Sequence, residues 1–439
     1  MSLIEENHKV VNRFDNFAKF ISWLGVLLSI LLLVYVYYRS EITYGGNYND
    51  IYFKYYIISI VGIFFWIAVL RLKEKLRANI VMVGISIVFS LYLVEVSLQF
   101  YQNQSQDIQF EDRRTKIEVL DDFIEKGIDA VPALRPKDVL HLSEEILPLA
   151  GVANTTTVGE NETGKWMIYP SDRYGFNNPD YEWDAEKTEY LLTGDSLTEG
   201  LAVQPGEDIG GQIRKITEQS VINLGRGGNG PLMELAEISE YAAHLQPKNV
   251  IWIYFEGNDL IGNMPRDKTS TILMNYLDKS FSQNLMSRQT EVDEILRKYI
   301  QQVRPSKYTF IRLQEIRKLM SFDDRVVEMV VDVDPIFSKI LIRAKNMTEG
   351  WGGKLHFVYL PEFARYNSEV EHDQYRKKLE VIELVKNLNI PVIDIHQEVF
   401  YNHADILSLF PFRRHGHYNA KGYNETAKAI VDGVKKYED

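Results

Sequence analysis

Hydrophobic and polar positions divide the 439 residues into a strongly apolar front and a longer alternating remainder. Three apolar runs stand in the first hundred residues: 20–38, free of charge; 55–70, bounded by Lys54 and Arg71; and 79–94, which continues past Glu95 towards Phe100. A helix needs ~20 residues to cross ~30 Å of hydrocarbon, and a snorkelling Lys54 extends the second run to that length. Tyr35, Tyr37, Tyr38, Tyr52, Tyr55 and Tyr56 crowd the run ends, as aromatic rings do at membrane interfaces. The pattern predicts three transmembrane helices within 18–100, after a cytoplasmic tail at 1–17. No small-residue cleavage site follows the first run, which argues against a removable signal peptide.

Loop charge sets the expected orientation. Residues 71–77 carry Arg71, Lys73, Lys75 and Arg77, whereas 39–50 has one basic residue at its edge. The positive-inside rule places the basic loop and the N-terminus in the cytoplasm and the large C-terminal part outside it. Glu95 is expected near the outer headgroups, where a carboxylate costs little.

Residues 101–180 are polar and are expected to form an extracytoplasmic connecting segment. Within it 102–106 reads as linker, 114–126 has helical spacing, and 152–163 reads as loop, with sequons at Asn154 and Asn161. Beyond it, short apolar runs alternate with helical periodicity. Strands are predicted from Tyr190 and at 221–224, 250–255, 354–360 and 391–395; helices are predicted at 232–245, 335–346 and 374–388. Five buried parallel strands alternating with helices indicate a doubly wound α/β sheet. An insertion at 260–334 holds Leu285, Val292, Ile295, Leu296, Tyr299, Ile300 and Val303 on one helical face, expected to pack on the core.

A net charge of -12 and a pI near 5.4 argue against nucleic-acid binding, which needs a basic face. The chain has no cysteine, so disulfides and cysteine-ligated metals are excluded.

The polar clusters fall where predicted strands end. Gly194-Asp195-Ser196-Leu197 follows the first strand, in a turn that lifts a hydroxyl to the carboxyl edge of the sheet. Asn223-Leu224-Gly225-Arg226-Gly227-Gly228-Asn229-Gly230 follows the second, and its glycines let a backbone N–H approach a ligand closely. Glu256-Gly257-Asn258-Asp259 follows the third and offers a side-chain amide. His415-Gly416-His417-Tyr418-Asn419-Ala420-Lys421-Gly422 precedes a final helix and offers an imidazole.

These four blocks, in this order, resemble those of the SGNH, or GDSL-type, hydrolases over roughly 189–436. The resemblance implies a flavodoxin-like three-layer domain over 181–439 with a five-stranded parallel sheet and neither metal nor organic cofactor. It further implies Ser196 as nucleophile, His417 as general base, and an oxyanion hole of the Ser196 and Gly228 N–H groups with the Asn258 amide. One feature departs from the family. The usual aspartate two or three residues before the histidine is replaced by Arg414 and His415, and loss of a triad acid can cost ~10⁴ in rate. Three explanations are open: a Ser-His dyad held by a backbone carbonyl; an orienting acid recruited from Asp394, Glu398 or Asp405; or a weakened site. His415 reads as a residue behind the site or on the surface. Arg226, inside the glycine turn, is a candidate substrate contact for an acidic sugar or a partner for a carboxylate.

The expected function is a membrane-anchored serine esterase removing O-acyl groups, O-acetyl first, from a cell-surface or lipid-linked glycan. An O-acyltransferase of the same fold and a non-catalytic glycan-binding scaffold are the alternatives. The implied partners are the acylated glycan or lipid-linked sugar, membrane lipid and a further membrane protein, with no nucleic acid.

Overall fold

The computed structural model describes residues 2–43, 49–104, 111–140, 142–303, 333–367, 375–414 and 416–438, which fall into two units, one up to Gln104 and one from residue 111 on. In the first, the three apolar runs lie within helices α1 (Ser2–Tyr37), α2 (Asn49–Leu70) and α3 (Glu74–Gln104). Their segments Phe14–Ile42, Tyr52–Leu70 and Glu74–Leu98 are each long and apolar enough to cross a membrane. Gly25 of α1 lies against the Trp66 ring of α2, where any side chain would collide. Arg77 Nε donates to Asp15 Oδ1 at 3.0 Å, and Nη1 donates to the carbonyls of Leu70 and Leu72 at 2.9 and 3.0 Å. This buried pair gathers the start of the first span and the α2–α3 turn at one end of the helices. Glu95, expected near the outer headgroups, is fully buried among the helices.

The second unit is built on five parallel strands: β4 (Tyr190–Gly194), β5 (Val221–Asn223), β6 (Asn249–Phe255), β7 (Lys354–Leu360) and β8 (Val392–Asp394), in the order β5-β4-β6-β7-β8. Leu191 lies opposite Ile222 on one side and Val250 on the other. Alternation decides the two faces. Leu191, Ile222, Trp252 and Phe357 enter one core with Leu232, Leu235, Phe337 and Leu341; Leu192, Ile251, Ile253 and Val358 enter the other with Ile213, Tyr423 and Ile430. Helices thus cover both faces, and the three-layer α/β fold expected from the alternation is the one observed.

In the insertion, helix Gln289–Gln302 buries Val292 and Leu296 against the first core. Residues 304–332 of the insertion lie outside the described set.

The polar segment ahead of the sheet folds more than its pattern suggested. Thr115 and Glu118 form a reciprocal cap on α4 (Lys116–Glu125). Strands β1 (Ala130–Pro132), β2 (Thr156–Val158) and β3 (Ile168–Pro170) make a small sheet, β2 running parallel to β1 and antiparallel to β3. β2 lies where loop was expected: three residues carry too little periodicity, and its hydrogen bonds come from β1 and β3. This segment belongs to the same unit as the five-stranded sheet.

Candidate active site

Strand β4 ends at Gly194 because nothing larger fits: a Cβ there would stand 2.2 Å from Thr198 Oγ1 and 2.7 Å from the Ile253 carbonyl. The chain then turns into the short helix Ser196–Glu199, with Asp195 Oδ1 accepting from Leu197 N–H at 3.0 Å. Asn223, at the end of β5, donates to the Thr198 carbonyl at 2.6 Å and accepts from Gly225 N–H at 2.9 Å, so one side chain ties the serine turn to the glycine turn. A Cβ on Gly227 would lie 3.7 Å from that of Ser196, which sets how closely the two turns approach. Among the described residues, no acceptor meets the backbone N–H of Ser196 or of Gly228.

The late block is positioned by Asn419. Its amide donates to the carbonyls of Ser408 and Phe410 at 2.9 and 3.1 Å, and its Oδ1 accepts from Gly422 N–H at 3.0 Å at the start of helix Ala420–Glu438. Tyr418, buried, donates to the Pro361 carbonyl at 2.6 Å. Between these anchors His417 stays 22% exposed, and its Nε2 is 2.8 Å from Ser196 Oγ.

The far side of the ring meets a carboxylate. His417 Nδ1 is 3.0 Å from both oxygens of Glu162, and His417 N–H donates to Oε2 at 2.9 Å. Glu162 sits at the tip of the β2–β3 hairpin, held by Thr163 Oγ1 donating to the Ala202 carbonyl at 2.7 Å and Asn161 Nδ2 donating to the Asp112 carbonyl at 2.8 Å. Facing a carboxylate, Nδ1 carries the proton and leaves the Nε2 lone pair for the serine O–H. Burial disfavours the imidazolium, but the bond and charge of Glu162 outweigh it and hold the His417 pKa above the ordinary histidine value.

The structure therefore corrects the sequence reading of the acid. Neither a carbonyl-held dyad nor any of the three recruited carboxylates is found. Asp394 pairs with Lys378 at 2.8 Å, Asp405 binds Arg413 at 2.7 and 2.8 Å, and Glu398 lines a groove between the segments 382–399 and 425–437. Glu162 gives no sign in the sequence: it lies in an Asn-Glu-Thr stretch within a polar loop. His415 lies outside the described residues.

Two other candidates take particular surroundings. Asn258 Nδ2 donates to Asp195 Oδ2 at 3.1 Å, and that oxygen is also 3.2 Å from Ser196 Oγ, so the amide is beside the serine. Its turn is fixed from below, where Glu256 is fully buried and accepts from Arg365 Nε at 2.9 Å and Glu362 N–H at 2.8 Å. Arg226 is not a substrate contact. It is 2% exposed and points inward, donating to the carbonyls of Leu134 and Gly175, because the small sheet and its loops cover this side of the glycine turn.

No family model matches the sequence, and no curated protein does. Solved structures similar to part of the chain include a lipase/acylhydrolase from Enterococcus faecalis (15% identity, TM-score 0.33, 57% of this chain and 96% of that one). A G-D-S-L family lipolytic protein from Veillonella parvula matches at 14% identity and TM-score 0.31, over 56% and 97% of the two chains. Axe2, an acetylxylan esterase from Geobacillus stearothermophilus, matches at 13% identity and TM-score 0.32, over 56% and 94%. What the site can do is decided by its side-chain geometry.

Proposed function

We propose that this chain is a membrane-anchored serine ester hydrolase of the SGNH type, removing O-acetyl groups from a cell-surface or lipid-linked glycan. The observation that carries the reading is the line Ser196 Oγ, His417 Nε2, His417 Nδ1, Glu162, with contacts of 2.8 and 3.0 Å. His417 takes the serine proton as Oγ attacks the ester carbonyl, then gives it to the departing sugar oxygen, which leaves as a hydroxyl; water repeats the sequence on the acyl-enzyme. Glu162 keeps the proton on Nδ1 and stabilises the imidazolium that forms. The N–H groups of Ser196 and Gly228 and the Asn258 amide are the donors available to the oxyanion, each such donor being worth ~10²–10³ in kcat.

A complete relay weighs against a non-catalytic scaffold, which would have no use for a base aligned on a serine. The three apolar helices support the anchor, and the basic 71–77 loop favours a catalytic unit outside the cytoplasm. Labelling with a fluorophosphonate probe tests the nucleophile, and acetate release measured beside acyl transfer to an added glycan tests the reaction. Equal labelling of wild type and Ser196→Ala would refute the proposal.

A further inference from the structure

We infer that Arg266 is an anion-recognition residue of this site, so that the ester is carried by a molecule bearing a carboxylate or phosphate close to the scissile bond. This rests on the esterase reading for the position of the ester. The guanidinium stands at the rim of the glycine turn: a Cβ on Gly228, whose φ is +90°, would meet Arg266 Nη1 at 3.9 Å and nothing else within 4 Å. The neighbouring Gly227 is the residue that abuts Ser196. Arg266 thus stands beside the turn that borders the serine.

The fork is held rigidly and incompletely used. Nε and Nη2 donate to Asp267 Oδ1 at 3.2 and 2.5 Å, and Nη1 donates to Asn263 Oδ1 at 3.2 Å. Both partners are buried, and Asn263 Nδ2 in turn donates to the Asn229 carbonyl, so the arginine rests on the loop that carries Gly228. Among the described residues three of its five N–H groups are taken, leaving one on Nη1 and one on Nη2. The side chain is 21% exposed, unlike Arg226 and Arg365, whose guanidinia are buried in the protein. The donors left on Nη1 and Nη2, carried on a fixed plane, suit the oxygens of a carboxylate or phosphate.

The surrounding charge sets what such a substrate requires. Glu162, Asp195 and Glu199 surround the serine, and an anionic substrate needs a cation at the rim to approach them. A neutral sugar ester has no such need.

The test uses the full chain in detergent with three O-acetylated substrates that differ at C6: methyl glucoside, methyl glucuronoside and methyl glucoside 6-phosphate. The wild type should favour one or both anions, the favoured one identifying the chemistry, and added salt should shrink the preference. Arg266→Lys keeps a charge beside Asp267 and so protects folding, yet should lower the anionic-to-neutral ratio of kcat/KM about tenfold, mainly through KM. Arg266→Met should lower it further. Equal kcat/KM for neutral and anionic esters, or a preference that Arg266→Lys leaves intact, overturns the inference. Calorimetric binding of the deacetylated glycosides to Ser196→Ala separates the two readings. Arg266-dependent binding of the anions with no wild-type turnover sinks the esterase reading and keeps this one. Ser196-dependent turnover without anion preference does the reverse.

Discussion

Glu162 and His417, 255 residues apart in sequence, meet with both carboxylate oxygens 3.0 Å from Nδ1, and the same carboxylate also binds the His417 backbone N–H. The acid is therefore delivered by a hairpin ahead of the sheet and fixes the ring in orientation as well as tautomer.

Replacing Glu162 by Gln should lower kcat by up to ~10⁴-fold with little change in KM, because the amide can no longer hold the Nδ1 proton. The pH profile gives a second reading. Catalysis needs neutral His417, so kcat/KM rises with pH through its pKa, and Glu162 holds that pKa above the ordinary value. In Glu162→Gln the acid limb should move to lower pH; a limb that stays in place, with full activity, would remove Glu162 from the relay.

Asn258→Ala should reduce kcat ~10²- to 10³-fold while fluorophosphonate labelling of Ser196 persists, since an oxyanion donor is lost but the nucleophile and base remain. Loss confined to KM would point to substrate binding instead.

Arg365→Met should destabilise the catalytic unit by about 3–5 kcal/mol, because Glu256 would keep its burial and lose its cationic partner. Adding Glu256→Gln should recover much of the loss. Denaturant titrations of the single and double variants check this; additive losses would contradict it.

Reporter fusions after Leu76 and after Asn103 should report cytoplasmic and extracytoplasmic positions respectively, as the basic 71–77 loop implies. A cytoplasmic signal at the second position would place the catalytic unit on the other side.

Much of this protein is written in local pattern. Apolar runs close to the length a bilayer needs, extended at their ends, produced the spans of α1 to α3, and runs such as Val250-Ile251-Trp252-Ile253, buried on both faces, produced the sheet strands close to their expected positions. The serine, glycine, asparagine and histidine blocks were visible because each turn must be built from particular residues: Gly194 has no room for a side chain, and Asn419 must cap a helix and bridge two carbonyls. Tertiary structure alone decided the partnerships. Arg226 reads as a candidate contact for an acidic sugar and nothing in the sequence singles out Arg266, yet packing sends the first inward to backbone carbonyls and leaves the second with donors at the rim. Glu162 could not be chosen among 61 acidic residues, because periodicity records which face a side chain occupies and not which distant loop will close over it.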